Sequence, residues 1–508
     1  MTASELVSAL GTRLSRTKLI VVANREPYIH VKQVRPPRSG IAGLFGGRGE
    51  RISRSWMRPA SGLVTALDPV MRACGGTWIA HGSGSGDREA SDDMGRVAVP
   101  PDAPSYTLRR VWLTQEEEEG YYYGLSNNAL WPLCHIAYAR PEFDDRDWQQ
   151  YRRVNQRFAN TVVDEIGDQR AIVFVQDYHF ALLPRMVKET RPDAIVCQFW
   201  HIPWPNSEAF RICPWGEEIV DGLLGNDLLG FHIQHHCNNF IDTVDASLEA
   251  RIDREHFAVV RRGHRTYVKP FPISIDPEPW GVLPKRRTFA VDVRKTRDRL
   301  GLVDQRLIFG LDRLDYTKGI PERIRAFERM LERYPRWRGR VTMLQIGAPS
   351  REHLERYQSI SDDVDVAVRR INERFGTEAW LPVTYLRQHH EPEDVAALYR
   401  AADVCVVSSL HDGMNLVAKE YIASRTDLRG VLVLSRFTGA ARDLLEAVDV
   451  NPFAVDEFAG VLHQALSMPE AEQARRMRAL RTRVGEHTIY DWAAHVIQAA
   501  WRMSEAAA

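Results

Sequence analysis

The feature that most constrains the fold is a repeated pattern in which a short, continuous apolar run is followed by polar residues and then by a helical segment. Continuous apolar, β-branched runs are typical of strands that are buried on both faces of a parallel sheet. Such runs occupy residues 19–23, 171–175, 194–199, 307–311 and 404–407. Open α/β sheets bind ligands at the carboxyl ends of their strands. The polar residues that follow these runs are therefore the first candidates for a site.

The pattern occurs in two blocks. Five prolines between residues 270 and 284 indicate a crossover between two domains, because proline interrupts both helices and strands. Beyond this segment the alternation starts again, with strands near Leu307, Val341, Val383, Val404 and Val431. We therefore expect an α/β protein with two doubly wound, Rossmann-like domains at 1–275 and 276–485, followed by a helical segment at 486–508.

The charge balance and the cysteines exclude several classes of partner. Lys plus Arg equals Asp plus Glu, at 67 each, so no overall field attracts nucleic acid or an anionic membrane, and any anion site must be local. The six cysteines form no CxxC pair, which favours reduced thiols in a reducing compartment. No apolar run approaches the length of a membrane span. We expect a cytoplasmic protein without nucleic-acid or membrane partners.

The segment 412–420, DGMNLVAKE, follows the apolar run 404–407 and begins a helix-forming stretch. A helix that begins beside the carboxyl end of a buried strand directs unpaired N–H groups and a partial positive charge outward, which suits a phosphate. Glu420 lies one turn beyond Leu416 on the same helical face. Its carboxylate repels phosphate, but it can accept hydrogen bonds from the sugar hydroxyls of a nucleotide. Taken alone, the segment is better interpreted as an ordinary helix start with an N-terminal acid.

A second segment has the same setting. Residues 313–319, RLDYTKG, follow the apolar run 307–311 and precede a helix, so Arg313 and Lys318 would meet the same phosphates. Together with DGMNLVAKE, this pair resembles the donor site of the trehalose-6-phosphate synthase family of retaining glycosyltransferases. Further motifs of the family occur in order from Asn24 to Glu420, so the resemblance covers most of the chain.

The resemblance implies a GT-B fold in which the second domain binds a nucleotide sugar, the first binds the acceptor, and the tail packs back across the first domain. It also implies transfer of glucose from a nucleoside diphosphate glucose, with UDP-glucose favoured, to glucose 6-phosphate, giving trehalose 6-phosphate. Arg313 and Lys318 would stabilise the departing diphosphate, so we expect no metal site and no cofactor. The residues implied at the donor site are Gly62, Arg313, Lys318, Asp412, Gly413, Met414, Asn415, Leu416 and Glu420.

The acceptor side follows from the same resemblance. Arg25 and Arg351 are the implied contacts of the acceptor phosphate, and Tyr122 and Trp131 would line the acceptor pocket. Asp177 and His201, at the ends of the runs 171–175 and 194–199, would bind sugar hydroxyls and lie beside the reacting sugar, respectively. We therefore assign the catalytic group to His201, Arg313, Lys318 and Asp177.

The chain departs from its family at two positions. The family usually has two glycines where this chain has Ser61 and Gly62, so a phosphate can approach this backbone less freely. A second tryptophan of the family, three residues after Trp78, is replaced here by His81. An imidazole offers less stacking area and can be cationic near neutral pH. We expect His81 to alter how the sugar part of the acceptor is held.

Two segments allow less definite interpretations. Residues 28–59 are rich in Gly, Arg and Pro without periodicity, which indicates a mobile loop that orders over bound ligands or a plain surface insertion. His232 and His236 lie four residues apart, as zinc ligands on one helical face can, but no second ligand cluster of fitting spacing accompanies them.

Three alternatives accompany the transferase hypothesis. A sugar-phosphate sensor without turnover would keep the fold and lose the donor cations, which this chain retains. A nicotinamide dehydrogenase requires a GxGxxG turn after a strand, and no predicted strand is followed by one. A relative with another phosphorylated acceptor, such as glycerol 3-phosphate, remains open. The nucleobase of the donor, regulation and assembly, including a homo-oligomer, are also open.

Overall fold

Two sheets organise the chain in a computed structural model that describes residues 1–14, 17–35, 51–59, 62–136, 139–286, 288–351 and 354–507. Within these residues the strands are β1 (Lys18–Arg25), β2 (Ile29–Arg35), β3 (Arg51–Met57), β4 (Thr77–His81), β5 (Arg96–Val99), β6 (Tyr106–Val111), β7 (Ala171–Gln176), β8 (Ile195–Phe199), β9 (Leu228–Phe231), β10 (Arg251–Asp253), β11 (Ala258–Arg261), β12 (His264–Pro270), β13 (Arg306–Arg313), β14 (Val341–Ala348), β15 (Val383–Leu386), β16 (Val404–Val407), β17 (Val431–Ser435) and β18 (Val448–Val450).

Helices connect these strands and cover both sheets. They are α1 (Ala3–Leu14), α2 (Gly62–Cys74), α3 (Asp87–Ala90), α4 (Gln115–Glu118), α5 (Trp131–His135), α6 (Asp145–Ile166), α7 (Leu183–Thr190), α8 (Ser207–Phe210), α9 (Gly216–Leu223), α10 (Gln234–Ser247), α11 (Pro277–Val282), α12 (Phe289–Arg299), α13 (Ile320–Arg333), α14 (Glu355–Phe375), α15 (Pro392–Ala401), α16 (Leu416–Ser424), α17 (Val455–Leu466), α18 (Glu470–Glu486) and α19 (Ile489–Ala507). A π-helix, Glu119–Leu130, lies between α4 and α5.

The first sheet has the order β10-β11-β12-β9-β8-β7-β1-β4-β6-β5 among the described residues. Its central strands, from β12 to β6, pair in parallel, and the antiparallel pairs lie at the two edges. The apolar runs 19–23 and 171–175 are buried in β1 and β7, as expected for strands covered on both faces.

The second sheet has the order β15-β14-β13-β16-β17-β18 in the described part of the chain, and all of its pairs are parallel. The predicted apolar run 404–407 is β16, which is buried at every residue. Two parallel-sheet units connected by helices confirm the predicted α/β fold class. The predicted domain boundaries at 275 and 485 stay a prediction.

The segment 28–59 differs from its prediction. Residues 29–35 and 51–57 pair as the antiparallel strands β2 and β3, with Ile29 opposite Met57 and Arg35 opposite Arg51. The prediction of an irregular loop is wrong for these two stretches. The strands of a small sheet outside the core can pair without a strongly apolar sequence pattern, so the pattern gave no sign of them. Ordering on ligand was predicted for the whole segment 28–59 and stays a prediction; residues 36–50 of it lie outside the described residues.

Helix α19 packs against the first sheet. The ring of Trp492 lies 5.6 Å from the ring of Phe174 in β7 and 5.0 Å from that of Phe199 in β8, measured between centroids. Phe174, Phe199 and Trp492 are all almost fully buried, so α19 supplies part of the core beneath two central strands. None of the described helices combines the length and apolar character needed to cross a membrane.

Candidate active site

The carboxyl ends of the two sheets face each other across a cleft. Arg351, which follows β14, donates from Nη2 to the hydroxyl of Tyr178, which follows β7, at 3.4 Å. Gly413, which follows β16, lies so close to His201, two residues after β8, that a Cβ at position 413 would clash with the carbonyl oxygen of His201. The loops that follow the strands of both sheets therefore meet in the cleft, as expected for open α/β sheets that share a ligand.

Two helix N-termini meet in this cleft. Helix α16 begins at Leu416, and the N-cap residue Asn415 accepts a hydrogen bond at its side chain from the N–H of Ala418 at 3.2 Å. Asn415 has φ 96°, an unusual value for a residue with a side chain. Helix α2 begins at Gly62, where a Cβ would lie 3.7 Å from Leu416 Cδ1. The positive ends of two helix dipoles therefore lie together, which suits a diphosphate.

Lys318 is fixed beside these helices by Asp412. Its Nζ lies 2.6 Å from Asp412 Oδ2, which also accepts from Ser409 Oγ and Asn415 Nδ2 at 3.1 and 3.3 Å. Burial favours the neutral acid, but the Lys318 ammonium outweighs this and lowers the pKa of Asp412 far below its ordinary value. The structure thus places Asp412 as an ionised partner that positions Lys318. A contact of Asp412 with a donor stays a prediction.

Three arginines converge on Tyr122 and Trp131. Arg25, at the end of β1, donates to the Tyr122 hydroxyl at 3.2 Å. The guanidinium groups of Arg351 and Arg313 lie 4.5 and 5.7 Å from the centre of the Trp131 ring. Burial alone would raise the pKa of Tyr122, but the positive charges of Arg351, Arg25 and Arg313 outweigh it and lower this pKa to about 8. The predicted acceptor residues therefore lie together in a strongly positive potential.

Arg351 is held by residues that the sequence analysis did not select. Its guanidinium lies 3.7 Å from Asp315 Oδ2 and donates to the Tyr357 hydroxyl at 2.5 Å, and the Tyr357 hydroxyl in turn lies 3.3 Å from Asp315. Its side chain is only 5% exposed, so the planar group is immobilised against Trp131. Asp315 could have been noticed as a carboxylate between the two cations of RLDYTKG, whereas Tyr178 and Tyr357 gave no local signal.

Asp177 and His201 lie at neighbouring strand ends, as predicted. Asp177 has φ 70°, and its Oδ1 accepts from the N–H groups of Tyr178 and His201 at 3.0 and 3.2 Å. Burial raises the pKa of Asp177 to about 7, although both backbone hydrogen bonds and the nearby Arg313 and Arg351 oppose this. Bound sugar hydroxyls could satisfy the second carboxyl oxygen of this buried group.

The His201 ring is oriented by a strand residue. Its Nε2 lies 2.9 Å from Gln176 Oε1, and since that oxygen only accepts, Nε2 carries the proton. Burial lowers the pKa of His201 to about 3, so the ring is neutral near neutral pH. Its carbonyl oxygen lies 3.0 Å from His232 Nε2. A neutral imidazole beside Asp177 orients groups rather than supplying positive charge.

The remaining predicted donor residues lie just before α16 or on it. Met414 is buried at 3% exposure. Glu420 lies one turn beyond Leu416, and its Oε2 accepts from the hydroxyl of Tyr399 at 3.2 Å. Burial raises the pKa of Glu420 to about 7. Its protonation state near neutral pH therefore depends on the hydroxyl groups that a ligand brings.

His81 ends β4 in register with Arg25 of β1, so it lies at the same edge as the arginine cluster. It is 9% exposed, and burial lowers its pKa despite the nearby carboxylates Glu118, Asp87 and Glu117. The sequence suggested a group that is cationic near neutral pH, and the buried environment disfavours that form.

His232, just before α10, and His236 on that helix do not form a ligand set in the structure. His232 directs Nε2 to the His201 carbonyl oxygen, and the rings of His236 and His411 lie 6.1 Å apart. Across the described residues, no group of three or more His, Cys, Asp or Glu side chains could hold a metal ion together.

Comparisons with known proteins place this cleft in a family context. The family model described as glycosyltransferase family 20 matches residues 19–502. A trehalose-6-phosphate synthase of Mycolicibacterium gilvum is 37% identical over 497 residues, covering 96% of this chain and 94% of that protein.

Solved structures give the same result. An α,α-trehalose-phosphate synthase (UDP-forming) from Burkholderia xenovorans, in complex with glucose-6-phosphate, superposes with a TM-score of 0.82 at 31% identity, covering 95% of this chain and all of that one. The E. coli protein bound with UDP-2-fluoro glucose has a TM-score of 0.80 at 29% identity, covering 95% of this chain and 99% of that one.

Proposed function

The chain belongs to glycosyltransferase family 20, and we propose that its cleft transfers glucose from UDP-glucose to glucose 6-phosphate, giving α,α-trehalose 6-phosphate with retained configuration. The observation that carries the proposal is the pairing within one GT-B cleft of two helix N-termini and two cations with an arginine-rich aromatic pocket. Relatives solved with glucose-6-phosphate and with UDP-2-fluoro glucose support this choice of substrates.

On the donor side, the diphosphate lies between the N-termini of α2 and α16, next to Arg313 and Lys318. The leaving diphosphate gains negative charge as the bond from C1 to its oxygen breaks. Cations and dipoles that are already in place stabilise this state more than the ground state. Glu420 accepts hydrogen bonds from hydroxyls of the donor's ribose, because its carboxylate repels phosphate.

On the acceptor side, Arg25 and Arg351 bind the phosphate, and Tyr122 and Trp131 line the pocket for the sugar. Asp177 accepts hydrogen bonds from sugar hydroxyls, and His201 lies beside the reacting glucose. The acceptor hydroxyl oxygen forms the new bond to C1, and its proton passes to the leaving phosphate oxygen. This route requires no covalent enzyme nucleophile.

An assay of nucleotide release tests the function. We expect UDP-glucose with glucose 6-phosphate to give the highest kcat/KM among combinations of UDP-glucose or GDP-glucose with glucose 6-phosphate, glycerol 3-phosphate or water. Binding of the sugar phosphates without any nucleotide release would favour the sensor hypothesis instead. A higher kcat/KM with glycerol 3-phosphate would replace the acceptor and leave the transferase chemistry intact.

Chelation tests whether side chains, and not a metal ion, stabilise the charge of the leaving diphosphate. Since Arg313, Lys318 and two helix N-termini supply the positive charge, we expect unchanged turnover after exhaustive dialysis against EDTA. The control is the same dialysis without chelator. Activity that is lost on chelation and returns with one particular divalent ion would contradict this mechanism.

Position 81 tests acceptor choice. We expect His81→Trp to shift the ratio of kcat/KM for glucose 6-phosphate over glycerol 3-phosphate towards glucose 6-phosphate by about tenfold, since a larger apolar ring adds stacking area for a hexose. His81→Leu, which removes the imidazole without adding an aromatic ring, separates stacking from loss of the histidine. An unaltered ratio would mean that position 81 does not set acceptor choice.

We also propose that the enzyme is cytoplasmic. All six cysteines are free, and every one except the partly buried Cys74 is buried, which is typical of proteins from reducing compartments. The balanced charge of the chain supports small anionic substrates rather than nucleic acid or a membrane surface.

A further inference from the structure

A second cavity lies where the two sheet units and the segment connecting them meet. Its volume is about 410 Å³, within the size range of small-molecule sites. None of the residues assigned above to the donor or the acceptor lines it. The lining residues that matter here are His232, Gln234, Pro270, Pro272, Arg442 and Arg483, and we call this space the Arg442 cavity.

The second sheet unit gives the Arg442 cavity an excess of positive charge. Arg442 ends a short helical turn, Gly439–Arg442, and is exposed; its side chain makes no hydrogen bond or ion pair within the described part of the chain. Asp443 beside it is already neutralised, because Arg483 Nε and Lys419 Nζ lie 2.6 and 2.9 Å from its carboxylate oxygens. Arg442 is therefore available to an anion.

The first sheet unit adds the N-terminus of α10. This helix of 14 residues begins at Gln234, its N-cap residue Ile233 offers no side-chain hydrogen bond, and its first turn contains no acid. Its positive end is thus not neutralised by its own sequence. Arg442 and Arg483 face the same cavity as this helix end, so the two sheet units offer positive charge to one space.

His232 contributes an unused hydrogen-bond acceptor. Its Nε2 lies 3.0 Å from the His201 carbonyl oxygen, so Nε2 carries the proton, and burial lowers its pKa to about 3. Nδ1 then bears a lone pair. The residue is 3% exposed, and its Nδ1 has no hydrogen-bond partner among the described residues. Leaving a buried acceptor unsatisfied is unfavourable, and a ligand hydroxyl would satisfy it.

We propose that the Arg442 cavity is a second binding site, for a small sugar phosphate. The phosphate of this ligand binds Arg442, Arg483 and the start of α10, and one of its hydroxyls donates a hydrogen bond to His232. A ligand held by both sheet units and the connecting segment stabilises the arrangement in which Gly413 contacts His201. Because His232 also contacts His201, occupancy of the cavity and of the catalytic cleft strengthen each other by linkage.

Calorimetric titration tests the site without depending on turnover. Glucose 1-phosphate, inorganic phosphate and glucose are each titrated into the full chain in saturating UDP, which fills the donor phosphate subsite. We expect a glucose 1-phosphate binding event in the wild type that is weakened at least tenfold in Arg442→Glu. Glucose lacks the anion and should bind this site at least tenfold more weakly than glucose 1-phosphate.

Arg478→Glu is the matched control, because Arg478 is exposed on α18 like Arg483 but does not line the cavity. It should bind as the wild type does. Hydrogen exchange should show protection of residues 232–240 by glucose 1-phosphate in the wild type and not in Arg442→Glu. Equal isotherms for the wild type and Arg442→Glu, or equal binding of glucose and glucose 1-phosphate, would overturn the proposal.

Discussion

Arg313→Ala and Lys318→Ala each lower kcat by about two or more orders of magnitude, the usual effect of removing a group that stabilises developing charge. Arg313 is exposed at the end of β13, so its removal leaves the core intact. Lys318→Ala leaves the Asp412 carboxylate without its ammonium partner, in a pair whose side chains are only 12% and 14% exposed, so this variant also loses some stability. Steady-state release of UDP measures the loss, and thermal unfolding of the same samples checks the fold.

Two controls define what the arginine contributes. Arg313→Lys should not restore turnover, because an ammonium lacks the planar fork that binds two phosphate oxygens at once. Arg306→Ala removes an exposed arginine from the opposite end of the same strand, where it pairs with Asp403, and should leave kcat near the wild-type value. Near-normal turnover in Arg313→Ala or Lys318→Ala would rule out the assigned role.

Arg351→Ala should have the second large effect, on the acceptor. The charge pair in question is that of Arg351 with the acceptor phosphate. Truncating one member of a buried, hydrogen-bonded charge pair costs about 2–5 kcal/mol, which corresponds to a loss of roughly 30- to 5,000-fold in kcat/KM. We expect the KM for glucose 6-phosphate to rise more than that for UDP-glucose, because Arg351 lies over Trp131 in the predicted acceptor pocket.

Arg356→Ala is the control for loss of contact between the two units. Arg356 lies on α14 and bridges to Glu142 Oε1 at 2.9 Å, in a pair in which the Glu142 side chain is 66% exposed. If both variants lost activity equally, Arg351 would act through the contact between units and not through the acceptor phosphate.

The fold could be predicted because its signals are local. A continuous apolar run is buried in any parallel sheet, so β1, β7, β8, β13 and β16 were found at the predicted positions. The strands β2 and β3 were missed, because each residue pairs with a partner 16 to 28 residues away and their sequence does not alternate clearly.

Only those site residues could be predicted that follow an apolar strand or that match a motif of the family. Arg25, Asp177, His201 and Arg313 were located by their position after an apolar run. The residues that hold Arg351 were missed for a physical reason: Tyr178 lies 173 residues away in the chain, and no single sequence records such a contact. The lowered pKa of His81 was missed likewise, because burial at a strand end is a tertiary property.

Trp492 also links the first sheet to the order in which the chain is made. Roughly 300 residues separate Phe199 from Trp492, and at about 5–20 residues per second a ribosome needs on the order of 15–60 s to add them. Throughout that time the apolar side of β7 and β8 lacks its final cover. The first sheet unit, although synthesised first, is therefore completed only after the second, and a chaperone that shields apolar strands would find its target here during synthesis.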